Sequence, residues 1–210
     1  MPRDGGGKQW VLVPIGPHLL LAKGHPGTGK SVFIRRLAKR LMWPVLDKDH
    51  TRDAEATVGL LQEAGPVGPH DPGNERAAAL NELAYQVAWN AIEEQLKLGI
   101  SVIFDSPLAH ERLFHHASQL AQRYGAEVRV LELSVPEEEH RRRIESRGRS
   151  LNEHQRHRAS DWAQLKALVE RYNRCWEYDI PNETRIFVDG MADVEGEIER
   201  VLHWLGLGQQ

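Results

Sequence analysis

The chain has 210 residues, 40% of them hydrophobic and 27% charged, with a formal net charge of -3 and a sequence pI near 6.4. This balance describes one ordinary globular domain around a single substantial core, and it excludes a global basic field that would draw the chain to nucleic acid. No apolar run approaches the roughly 20 residues that cross a bilayer, no secretory pattern opens the sequence, and the lone Cys175 excludes an internal disulfide, so a cytoplasmic protein is expected.

Residues 1–9 are expected to be a disordered lead-in, followed by a single domain over 10–210. The run His18-Leu-Leu-Leu-Ala-Lys23 predicts a strand, and Val32-Phe-Ile-Arg-Arg-Leu37 predicts the body of a helix. Between them, residues 24–31 read Gly-His-Pro-Gly-Thr-Gly-Lys-Ser, a complete G-x-x-x-x-G-K-[ST] phosphate-binding pattern. A strand feeding such a loop and a helix leaving it aim consecutive backbone N–H groups and a helix N-terminus at one spot, where a β-phosphate can be held. Gly24, Gly27 and Gly29 permit the turns, and His25, Pro26 and Thr28 complete the cradle. Lys30 is expected to reach the β- and γ-phosphates, and the Ser31 hydroxyl to ligate Mg²⁺.

Pro44-Val-Leu-Asp47 predicts a second strand, and Asp47-Lys-Asp49-His-Thr-Arg52 follows it directly. A phosphoryl acceptor needs a carboxylate to orient its hydroxyl and take the proton, and a nearby cation can fix an anionic group of the acceptor. D-x-D-x-x-R supplies both, with Asp49 as base and Asp47 and Arg52 on the acceptor; the plainer alternative is Asp49 as a helix cap. Residues 64–74 form a breaker-rich loop, and Leu80, Leu83, Ala84, Val87 and Ala91 make a helical stripe. Ser101-Val-Ile-Phe-Asp105 predicts a buried strand running into an exposed acid, where Asp105 would hold Mg²⁺ through water or brace the acceptor; its alternative is a turn cap.

Leu113, Ala117, Leu120 and Tyr124 form a second helical stripe, and Glu127 to Val135 a fourth strand. In the run Glu137 to Arg149, Glu137, Glu138 and Glu139 stand four residues before Arg141, Arg142 and Arg143, the favourable order for helical ion pairs. Arg147 and Arg149 flank Gly148 beyond the reach of those acids, so a lid near 141–160 that closes on a phosphoryl group is expected. Trp162, Trp176 and Tyr178 read as core. Thr184 to Val188 predicts the last strand, ending at Asp189, and Val194, Ile198, Val201 and Leu205 the last helical stripe. His115-His116 and His154-x-x-His157 lack the cysteine or carboxylate partners of a closed metal site and read as solvated or packing residues.

Strands alternating with helices argue for an α/β fold with a parallel sheet covered on both faces. Acids at the strand ends (Asp47, Asp105 and Asp189) would then face the ligand crevice at the carboxyl edge of the sheet. In motif order the chain resembles the small P-loop kinases grouped with polynucleotide kinase, zeta toxins, chloramphenicol phosphotransferase and adenylylsulfate kinase. The stretches Leu80-Asn-Glu-Leu-Ala-Tyr-Gln86, Gln95 through Leu108, Arg142 through Gly148 and Tyr172 through Asp179 are similar to plant and bacterial members of that group. The resemblance spans nearly all of 18–205 and implies a three-layer P-loop NTPase fold with a five-stranded, mostly parallel sheet in the order 2-3-1-4-5. It implies ATP and Mg²⁺ as cofactors, Asp49 as catalytic base, Arg52 as acceptor-binding residue, and Arg143 and Arg147 as the lid pair on nucleotide and phosphates.

The resulting expectation is an ATP-dependent kinase for a hydroxyl of a small molecule or nucleotide. Polynucleotide 5′-hydroxyl phosphorylation is the alternative enzyme reading, disfavoured by the acidic composition. A nucleotide-switched regulatory ATPase is the alternative of another class. A GTPase is disfavoured because no Asn-Lys-x-Asp occurs, and a binding-only pseudokinase because Lys30, Ser31, Asp49, Asp105 and Arg147 are all present.

Overall fold

The computed structural model describes residues 16–54, 75–149, 159–171 and 174–207. The expected lead-in, the 64–74 loop, most of the 149–160 stretch, and His154 and His157 lie outside these residues.

Five strands form the sheet: β1 (His18–Lys23), β2 (Val45–Asp47), β3 (Val102–Asp105), β4 (Glu127–Ser134) and β5 (Arg185–Asp189). All four neighbouring pairs are parallel and the spatial order is β2-β3-β1-β4-β5, as the resemblance implied. Seven α-helices are described: α1 (Lys30–Leu41), α2 (Lys48–Arg52), α3 (Glu75–Lys97), α4 (Glu111–Arg123), α5 (Glu137–Gly148), α6 (Trp162–Arg171) and α7 (Val194–Trp204).

The central strand β1 is buried at every position, so both faces of its pleat are covered. Leu19 and Leu21 join Trp89, Ile92, Phe104, Leu113 and Ala117 beneath α3 and α4. Leu20 and Ala22 face the other way and meet Ile34, Leu37, Ile198 and Val201 of α1 and α7. The stripes of α4 and α7 pack as their spacing predicts, but that of α3 is displaced. Ala84 is buried as expected, but Leu83 and Val87 are exposed, and Tyr85, Ala88, Trp89, Ile92 and Leu96 are buried instead. The two aromatic rings supply more apolar surface than the aliphatic stripe, and they turn the helix to bury themselves.

Topology places the site. The strand order reverses beside β1, so the carboxyl ends of β1, β2 and β3 open into one crevice. Register puts Asp47 directly opposite Asp105 there.

Candidate active site

The phosphate-binding loop leaves β1 and enters α1. Gly24, Gly27 and Gly29 adopt φ of 144°, 87° and 100°, a region that favours glycine. A Cβ on Gly24 would stand 2.6 Å from the Leu133 carbonyl oxygen, and one on Gly27 2.3 Å from Ile144 Cδ1. The loop therefore has glycine where conformation and space both demand it. Gly24 N–H donates to the Pro107 carbonyl at 3.4 Å, tying the loop to the end of β3, and Thr28 Oγ1 donates to the His25 carbonyl at 3.0 Å.

Lys30 opens α1 and points across the crevice, its Nζ 2.6 Å from Asp105 Oδ1. The sequence suggested an exposed acid at Asp105, whereas both side chains of the pair are at least nine-tenths covered. Asp105 lies at the end of a wholly buried strand, and the ammonium compensates its charge.

Asp47 accepts the Asp49 N–H at 2.8 Å, so the helix cap of α2 is Asp47 and Asp49 is a first-turn residue. Burial pushes the Asp47 carboxyl above its usual range, and the charges of Asp49 and Asp105 push it the same way. Lys48 Nζ donates to Asp49 Oδ1 at 2.7 Å and lies 5.5 Å from the centre of the Tyr85 ring. Burial lowers the pKa of that ammonium, while Asp49 opposes the shift. Arg52 is buried and donates to Asn81 Oδ1 at 3.1 Å. Thus Asp47, Asp49, Arg52 and Asp105 are brought together with Lys30. Asp189 is not among them: at the sheet edge it accepts the Met191 N–H and caps the turn after β5.

Behind the loop stands α5. Arg143 donates to the Thr28 carbonyl at 2.5 Å, the Gly190 carbonyl at 2.9 Å and Glu139 at 2.6 Å. His140 Nε2 lies 2.7 Å from the Pro26 carbonyl oxygen. Arg147 donates to the Ala159 carbonyl at 2.7 Å and is half-buried rather than solvent-exposed.

The expected ion-pair ladder holds at one rung only, Glu139 with Arg143. Arg142 also takes Glu139, and Arg141 turns to Glu145 at 2.9 Å instead of Glu137. Two guanidinium groups on one carboxylate hold Glu139 down at about 2.

The sequence reading missed Lys48 and His140. Lys48 hides between two acids, where a lysine looks like a solvated counter-charge. The pair His140 and Ile144, four apart on the face away from Arg141 and Arg142, is the signal that could have found the other.

The loop glycines carry the turns of a phosphate cradle, a Cβ on Gly24 or Gly27 would collide with Leu133 or Ile144, and Lys30 opens the helix beside them. Ser31 and Asp105 offer the hard oxygen ligands that Mg²⁺ prefers, and among the described residues no group of three or more His, Cys, Asp or Glu could hold a metal by itself. An ion held by one or two protein oxygens and the nucleotide's phosphates needs no such cage. Among the described residues no helix is long and apolar enough to cross a membrane.

The AAA_33 family, described as AAA domain, matches residues 19–172. No curated protein sequence matches the chain. Several solved structures do. A protein of Chloroflexus aurantiacus J-10-fl, provisionally designated a kinase, is 21% identical with a TM-score of 0.66, over 93% of this chain and 100% of that one. Kti12 of Chaetomium thermophilum, solved in complex with ADP-AlF3, is 16% identical with a TM-score of 0.60, over 90% and 97%. A sugar kinase of Janibacter sp. HTCC2649 is 18% identical with a TM-score of 0.57, over 92% and 99%. At these identities the likeness shows the fold, a P-loop NTPase sheet with helices on both faces.

Proposed function

The chain belongs to the AAA_33 family of AAA domains, and from that premise we propose that it is an ATP- and Mg²⁺-dependent phosphotransferase acting on a hydroxyl of a small molecule or nucleotide. The observation that carries this reading is the meeting of the loop lysine with the strand-end acids: Lys30 on Asp105, with Asp47 opposite Asp105 in register. A phosphate-binding loop alone serves any nucleoside triphosphatase. Carboxylates on the neighbouring strands add what an acceptor hydroxyl needs.

In this mechanism Gly24 to Ser31 would hold the nucleotide's phosphates, and Ser31 and Asp105 would hold the metal. The chemistry that Mg²⁺ would supply there is neutralisation of charge developing on the transferring group. Lys30 exchanges Asp105 for the phosphates, orienting them and offsetting their charge. Asp49 accepts the acceptor's hydroxyl proton, and the bond from Lys48 holds that carboxylate in place. Arg52, at the C-terminal end of α2, is the cation that would hold an anionic group of the acceptor. Arg147 supplies positive charge from the lid side.

Labelled γ-phosphate transfer tests the reading, with panels of hydroxyl compounds and of 5′-hydroxyl oligonucleotides beside a control without acceptor. Asp49→Asn should keep ATP affinity within a few-fold and cut acceptor-dependent turnover by roughly 10²-fold or more. Hydrolysis that proceeds equally without acceptor and survives Asp49→Asn would favour the regulatory ATPase. Transfer confined to oligonucleotides and falling steeply with salt would favour the polynucleotide kinase.

A further inference from the structure

We propose that His140 is a positioning residue for the phosphate-binding loop: its Nε2–H grips the Pro26 carbonyl from behind and turns the Gly27 N–H toward the nucleotide. This inference rests on the nucleotide-binding reading of the loop and assigns a role to a residue outside the loop's motif.

The geometry begins with the peptide bond. No cis peptide occurs among the described residues, so the Pro26 carbonyl and the Gly27 N–H belong to one planar trans unit and point in opposite directions. A donor that fixes the carbonyl on one side fixes the N–H on the other. His140 Nε2 lies 2.7 Å from the Pro26 oxygen, and since a carbonyl only accepts, Nε2 carries the hydrogen. Arg143 does the same two peptide units further along, where its bond to the Thr28 carbonyl sets the Gly29 N–H. Two of the loop's amides are thus aimed by side chains of α5.

His140 is placed for this role by contacts that hold its ring. It is 9% exposed, meets Trp162 edge-on with ring centres 5.4 Å apart, and lies 6.3 Å from the His25 ring, which itself packs on Trp176 at 4.4 Å. Ile144, one turn on, fills the space that any Cβ on Gly27 would need. The loop and α5 are in van der Waals contact, so the bond has little slack. Amides that are already turned meet the phosphates without the reorganisation a mobile loop would require, and that preorganisation should appear in nucleotide affinity.

Because the Gly27 N–H would contact the phosphates before and during transfer alike, losing its orientation should raise KM and leave kcat nearly unchanged. The test uses the full chain with ADP titrated by calorimetry and with steady-state ATP turnover. His140→Phe keeps an aromatic ring and removes the donor, and it should weaken ADP and raise KM for ATP about tenfold, with kcat within twofold. His140→Gln places an amide N–H where Nε2 stood and should recover most of the affinity. His140→Asn is polar but too short to reach Pro26, and should behave like the phenylalanine variant even if that variant folds poorly. Affinity at the wild-type level in both His140→Phe and His140→Asn overturns the proposal, as does a glutamine variant no better than asparagine. Wild-type protein that fails to bind ADP overturns the nucleotide reading itself, whereas wild-type binding that the His140 variants leave untouched overturns only this assignment.

Discussion

Lys30 sits in an ion pair that it must leave in order to work. With Asp105 almost wholly buried at 2.6 Å, the ammonium both awaits phosphate and keeps a carboxylate charge tolerable inside the protein. Lys30→Ala is therefore expected to abolish transfer and also to lower stability, by about 3 kcal/mol, the scale for breaking a buried pair. Adding Asp105→Asn should restore most of that stability and none of the activity; denaturant melts of the single and double variants check it. Asp47 carries the opposite load. Its folded pKa is raised, so the stability linked to it is present below the ordinary 3.8 and is lost as pH rises through the shifted value. Asp47→Asn keeps an oxygen for the Asp49 N–H and should raise the melting temperature at pH 7, with the gain shrinking toward pH 4. A loss at pH 7 would mean that the carboxylate's partners outweigh its burial.

At the scale of elements, α5 is a brace with two unlike faces. Outward, Arg141 and Glu145 make an exposed pair, so Arg141→Ala should cost only a few tenths of a kcal/mol and leave turnover unchanged. Inward, Ile144 fits against Gly27, and the fit leaves no room for a methyl group. Gly27→Ala combines a positive φ with a 2.3 Å overlap and should destabilise by about 1–3 kcal/mol while weakening ADP. Pairing it with Ile144→Ala relieves the overlap but not the backbone strain, so ADP affinity should return only in part. Full recovery would show that sterics alone fix the glycine. Arg147 belongs to the inward class as well. Because it donates to the Ala159 carbonyl, Arg147→Ala should lower stability as well as turnover, and only the kinetic effect separates it cleanly from Arg141→Ala.

Over the whole molecule, pH acts through histidines that the fold partly desolvates. Burial lowers the pKa of His18, His25, His110 and His116 below the ordinary 6.5. The unfolded chain takes up protons near pH 6.5 that the folded chain refuses, so their contribution is fully present above that pH and is lost as pH falls below it. Melting temperature should fall between pH 7 and 5. His18 stacks on Trp43 with ring centres 5.4 Å apart, and His18→Phe should flatten the fall by its share, because burial of the ring outweighs the opposing charge of Glu127 beside Nδ1. A profile that is flat for the wild type would contradict this lowering.

The sequence by itself determined a parallel sheet covered by helices, because strand runs alternate with helical spacing, while the strand order came from the family resemblance; it also determined the phosphate-binding loop, because that chemistry is local to residues 24–31. It also located Asp47, Asp49, Arg52 and Asp105 near one crevice, since acids at the ends of neighbouring parallel strands converge there. Partners across long separations lay beyond it. The bond from Lys30 to Asp105 spans 75 residues, that from His140 to Pro26 spans 114, and that from Arg143 to Thr28 spans 115. Local spacing offered Arg141 the acid at Glu137, yet an exposed helix face leaves either neighbour open at similar energy, and the fold chose Glu145. The displaced stripe of α3 follows the same logic, for Trp89 and Tyr85 gain more by burial against Phe104 than Leu83 and Val87 would, and only the packed sheet presents Phe104 to them. Residue types and spacing set what each segment could do; which surface it met was decided by the three-dimensional competition for burial.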